Sequence, residues 1–145
     1  MRQKVIIHIS DLHVTASTSS DGVPASRIDS YLTTKEDDNV TAYIDNFVDT
    51  VKDAHPDVDF ILLVTGDVSN EADRREFATA KNLLRRIIDK LQISTDNCLL
   101  IPGDHDVHRR SILNALDDTP SDQSYLLNSV KFKNFSGLYK EISGK

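Results

Sequence analysis

Three short clusters of acidic and histidine residues punctuate the chain: Asp11-Leu12-His13, Gly66-Asp67 and Gly103-Asp104-His105-Asp106. Aspartate and histidine together suit divalent ions of intermediate hardness: manganese first, with iron or zinc as alternatives. Asp11 and His13, one residue apart, offer ligands for one ion. Asp104 offers a ligand for a second, and Asp67, with two carboxylate oxygens, can bridge the two. A pair of ions held in this way is the clamp used for phosphate-ester hydrolysis: it acidifies a water and neutralises phosphate oxygens. His105 is then left to give a proton to the leaving oxygen or to stabilise the pentavalent phosphorus, and Asp106 to orient His105 by accepting its other ring hydrogen.

Each cluster directly follows an apolar run that reads as a strand: Val5 to Ile9, Phe60 to Val64 and Leu99 to Ile101. Between the first two runs, Val40, Tyr43, Ile44, Phe47, Val48 and Val51 recur at helical spacing. His55-Pro56 closes that helix. Between the second and third, Phe77, Ala80, Leu83, Leu84, Ile87, Ile88 and Leu91 form another helical face, with Ser69-Asn70 as its expected N-cap. The order is β-α-β-α-β, and strands joined by helical crossovers are parallel. Their continuous apolar character predicts burial on both faces. Parallel strands present their carboxyl ends at one edge, so the three clusters should converge there. Beyond the third cluster, helices are expected over 109–116, from Thr119-Pro120, and around Phe132, Phe135, Leu138, Tyr139 and Ile142. The polar stretch 14–38 reads as a long loop, with Arg27, Tyr31 and Lys35 as candidate substrate contacts. His8 is expected in the core.

At 145 residues the chain suits one domain with a core. A net charge of -6 argues against a broad nucleic-acid surface. It leaves room for a nucleic-acid substrate, because bound cations invert the field at a carboxylate-rich site. Cys98 is the only cysteine, which excludes an intrachain disulfide, reads as a buried small hydrophobe and suits a reducing cytoplasm. No segment reaches membrane-span length.

The motif set resembles the first half of a calcineurin-like metallophosphoesterase, a family that carries D-x-H, then G-D, then G-N-H-D or G-N-H-E, then two later histidine motifs. Asp11 and His13 match the first motif, Gly66 and Asp67 the second, and Gly103, His105 and Asp106 the third. The resemblance implies a two-metal phosphoesterase with a β-sandwich flanked by helices, in which Asp67 bridges the metals and His105 aids catalysis. Two departures stand out. Asp104 replaces the family's asparagine, which places more negative charge on the second ion. After His108 the sequence has no histidine.

Residues 1–145 are therefore expected to be the N-terminal portion of a single longer domain, supplying its β-α-β-α-β half. Alone, that portion would leave apolar surface open, be marginally stable or self-associate, and show little activity. Gly66-Asp67-Val68-Ser69-Asn70 lacks the arginine of the Ser/Thr protein phosphatase signature. The run from Gly66 to Asp106 looks most like bacterial phosphodiesterases related to the class III cyclic-nucleotide enzymes, which implies a nucleotide or nucleic-acid phosphodiester as substrate. A DNA-repair-type nuclease shares the same motifs. The rival from another class is a noncatalytic scaffold of this fold, supported by Asp104 and the absent histidines and opposed by the retention of Asp11, His13, Asp67, His105 and Asp106.

Overall fold

A computed structural model describes residues 2–15, 32, 38–109, 112–113 and 130–145. Strand β1 (Lys4–Ile9), helix α1 (Asp38–Ala54), strand β2 (Asp59–Thr65), helix α2 (Arg74–Leu91), strand β3 (Cys98–Ile101) and helix α3 (Lys133–Ser143) follow in order, with a 3-10 turn, Thr95–Asn97, leading into β3. The strands form one parallel sheet in the order β1-β2-β3. This is the expected β-α-β-α-β order with parallel strands; the expected helix over 109–116, the one from Thr119-Pro120, and Arg27, Tyr31 and Lys35 lie wholly or mostly outside the described residues.

Helices α1, α2 and α3 contribute to the core on one side of the sheet. Ile7, Phe60, Leu62, Val64, Cys98 and Leu100 are buried there with Val48, Phe77, Leu84, Ile87, Phe135 and Ile142. Side chains alternate along a strand, so the intervening residues point the other way. Ile6, Leu99 and Ile101 are 59%, 51% and 55% exposed. The register pairs Ile6 with Ile61, Leu63 with Leu99 and Thr65 with Ile101, which groups them on a single open face. Burial on both faces, expected from the apolar runs, is thus not what the described residues show. His8 is likewise not in the core; it is exposed on the open face, where its Nε2 lies 2.6 Å from Thr65 Oγ1. Cys98 is buried, and burial pushes its thiol pKa up.

The helix ends have local causes. The His55 amide closes on the carbonyls of Val51 and Lys52, ending α1 before Pro56. Val48 of α1 is fully buried and Ile44, Phe47 and Val51 pack against the core, whereas Tyr43 is 73% exposed at the edge of that face. Helix α2 starts later than Ser69-Asn70 predicts. Asp73 is its N-cap and accepts from the Arg75 amide, while the Glu76 carboxylate accepts from the amides of Asp73 and Glu71. That reciprocal capping box is worth about 1 kcal/mol. Helix α3 packs on α2 through an edge-to-face Phe77–Phe135 contact, with ring centroids 6.3 Å apart. The Asn134 amide donates to the Ala72 carbonyl at 2.8 Å.

Helices α1 and α2 are also joined by charge. Asp45 accepts from Arg86 Nε and Nη2, both at 2.6 Å, and lies 2.9 Å from Lys90 Nζ. The Arg86 guanidinium, and then the Lys90 ammonium, hold the Asp45 carboxyl below the usual carboxylate range. A lowered pKa adds stability above the unfolded-state value of about 4, and that stability is lost as pH falls through the folded-state value. Asp45→Asn is therefore expected to lower the melting temperature at pH 7 and to converge with the parent chain in strong acid. A difference that stayed constant from pH 7 down to pH 2 would remove Asp45 from the acid response.

Candidate metal centre

The loops that follow the three strands meet at the carboxyl edge of the sheet, tied backbone to backbone. The Gly66 amide donates to the Ile101 carbonyl at 2.8 Å, the Asp11 amide to Gly66 at 3.3 Å, and the His13 amide to Asp67 at 2.8 Å. Val14 continues the pairing with a parallel bridge to Ser69, and it is fully buried. The start of the polar stretch 14–38 is thus built into the fold. Asp11, His13 and Asp67 all have positive φ, at 55°, 43° and 50°. Non-glycine residues enter this region at an energetic cost, and such outliers cluster at functional sites.

Two glycines allow the loops this close approach. Gly66 has φ 77°, and a Cβ on it would lie 3.3 Å from the Gly103 Cα. A Cβ on Gly103 would overlap the Asp67 carboxylate and sit 2.5 Å from the Asp67 amide nitrogen. The glycines of Gly66-Asp67 and Gly103-Asp104 therefore do the same job from opposite sides: they let one loop lie directly on the other.

The convergence yields two ligand sets. Asp11, His13 and Asp67 present ligand atoms within 4.8 Å of one another, as do Asp67, Asp104 and His105. Asp67 belongs to both. His13 Nε2 lies 4.0 Å from Asp11 Oδ1 and 3.9 Å from Asp67 Oδ2, and the other Asp67 oxygen accepts the His105 amide at 3.1 Å. The rings of His13 and His105 meet edge to face, 4.8 Å between centroids. Oxygen and imidazole donors in sets of three fit divalent ions of the manganese, iron and zinc kind. His105, expected from sequence to donate a proton or to stabilise the pentavalent phosphorus rather than to hold a metal, is thus also within the second ligand set.

Asp106 is not placed as its expected role requires. Its carboxylate is buried and accepts from the amides of Ser69 at 2.8 Å, Gly103 at 3.0 Å and Val68 at 3.3 Å, and from the Ser69 hydroxyl at 2.9 Å. It staples the β2 and β3 loops together. The partner of the His105 ring is the Asn70 carbonyl, 2.8 Å from Nδ1. A carbonyl only accepts, so Nδ1 carries the hydrogen and Nε2 is directed to other work. Asn70 acts through its backbone, which leaves no trace in residue type. Ser69, read as a helix cap, is instead the Asp106 partner. Asp104 is exposed and lies 3.7 Å from Arg109.

A three-stranded parallel sheet with helices on one face and two carboxylate–imidazole sets at its carboxyl edge defines a metal-site α/β protein. The family model for calcineurin-like phosphoesterases matches residues 4–144. The chain belongs to that family, whose chemistry is metal-dependent hydrolysis of phosphoester bonds. A search of curated proteins gave no match. None of the described helices is long and apolar enough to cross a membrane.

Proposed function

We propose that the chain carries a binuclear metal site for hydrolysis of phosphodiesters in a nucleotide or nucleic acid. The observation that supports it most is the sharing of Asp67 between two ligand sets. Asp11 and His13 would hold one ion, Asp104 the other, with Asp67 between them and manganese as the first candidate. When bound, such ions acidify water and neutralise phosphate oxygens. The chain's own residues do the rest. His105, fixed through Nδ1 by the Asn70 carbonyl, offers Nε2 toward the leaving oxygen; to donate from there, both ring nitrogens must be protonated. Asp106 holds the two loops in register. The cleft beside the second ligand set, about 630 Å³ and lined by Asn70, His105, His108 and Arg109 among others, has the size of a small-molecule site and can take a leaving group larger than water.

The test compares bis(p-nitrophenyl) phosphate with p-nitrophenyl phosphate under manganese. Diester turnover is expected, and turnover of the monoester alone would sink the diesterase assignment. His105→Ala is expected to lower turnover by about 10²–10⁴-fold, with metal content kept. Loss of one metal equivalent in that variant would make His105 a ligand. The open sheet face supports the companion proposal that 1–145 forms the N-terminal portion of one domain, and the buried, unpaired Cys98 supports a reducing, cytoplasmic setting. Self-association through that face is the behaviour expected in sedimentation; an ideal monomer at all concentrations would argue against it.

A further inference from the structure

The cleft beside the second ligand set does not end there. It shares Asp73 and His108 with a neighbouring cleft of about 430 Å³, which in turn shares Arg74, Lys133 and Asn134 with a third of about 310 Å³ between α2 and α3. From the candidate metal centre outward, this path is flanked by Arg109, then Arg74 and Lys133, then Lys81. Arg74 and Lys81 are seven residues apart on α2, hence on one face and about 10 Å apart along the axis.

Several charges on the path are already matched. Asp73 pairs with Arg75 at 3.0 Å, Glu141 with Lys81 at 2.8 Å, and Asp104 with Arg109 at 3.7 Å, whereas Glu71 in the first cleft has no ion pair among the described residues. Arg74 and Lys133 have no ion pair among the described residues, and both are exposed where the second and third clefts join. What sets these two apart from other surface cations is that both line the same two adjoining clefts. The path is anchored to the site: the Asn134 side chain holds the Ala72 carbonyl, and the His108 amide donates to the Lys131 carbonyl at 3.4 Å. Helix α3 is therefore fixed relative to the loop that carries Asn70.

We propose that these three clefts form a track for a single nucleic-acid strand, with one phosphodiester at the metal centre and the flanking phosphates on Arg74 and Lys133. This rests on the phosphodiesterase assignment above and narrows its substrate to a polynucleotide. A substrate with a single phosphate has no use for unmatched cations one cleft removed from the reacting centre, whereas a strand presents a phosphate at every step. The number of cations is small, so binding is local and salt-sensitive, near the lower end of single-strand site sizes, about four nucleotides.

The probe is a fluorescein-labelled twelve-residue oligothymidylate, followed by anisotropy with the full chain, metal-free and with manganese. Arg74→Glu/Lys133→Glu is expected to weaken binding at least about tenfold at low salt. It should also flatten the slope of log K against log salt by about 1.4, two cations at about 0.7 each. Lys4→Glu/Lys52→Glu makes the same change in net charge away from the track and is expected to leave binding near the parent value. Equal losses in the two double variants, or no binding by the parent chain at low salt, would overturn the track. Parent-chain turnover of bis(p-nitrophenyl) phosphate tests the diesterase assignment separately. If that turnover is absent while binding still depends on Arg74 and Lys133, the track stands and the diesterase assignment alone falls.

Discussion

Asp67→Asn is expected to remove metal from both ligand sets while leaving the fold intact. Asp67 is the only residue common to the two sets, so neutralising it withdraws charge from both at once. Outer-shell changes alone cost about 10–100-fold in metal affinity; loss of a shared ligand charge should reach the upper end of that range or beyond. The amide is isosteric and keeps an oxygen for the His105 amide, which Asp67 Oδ1 accepts at 3.1 Å. The melting temperature of the metal-free variant should therefore match that of the metal-free parent. If one metal equivalent survived at parental affinity, Asp67 would belong to one set only.

Gly103→Ala is expected to disable the site by a steric route. The added methyl would overlap the Asp67 carboxylate and crowd the Asp67 amide nitrogen, a backbone atom with no freedom to rotate away. The two loops must then part. Overpacking of this kind costs about 1–3 kcal/mol, and a displacement of about 1 Å at a reacting centre costs about 100-fold in rate. Gly137→Ala is the matched comparison. It lies within α3, its added methyl meets nothing within 4 Å, and alanine is favoured over glycine in a helix by about 0.5–1 kcal/mol. Melting curves should move in opposite directions for the two variants. A Gly103→Ala chain that kept both its stability and its metal would mean that the loops are not in the contact described.

The strands and the convergence of candidate ligands at their ends were legible because the relevant information is local. An apolar run followed by Gly-Asp or Asp-x-His fixes both a strand and what it carries to the sheet edge. The terminal helix was legible for the same reason, from Phe135, Leu138 and Ile142, all buried in α3. The misjudged features depend on partners distant in sequence. Ile6, Ile61, Leu63, Leu99 and Ile101 make the strands apolar at both parities, so nothing in the pattern distinguishes a covered face from an open one. Ser69 has the composition of a cap, yet its hydroxyl and amide go to Asp106, 37 positions away. The cap that forms was present in the sequence as Asp73-Arg74-Arg75-Glu76, the spacing of a capping box. The Asn70 contact to His105 runs through a carbonyl, and any residue has one.

Calorimetric titration of the metal-stripped chain with manganese, with Asp67→Asn run alongside, shows whether two ligand sets share Asp67. Two binding events in the parent chain, both absent from the variant, are the predicted result. A single weak event, none at all, or an event that persists unchanged in Asp67→Asn would contradict a shared binuclear site in these residues.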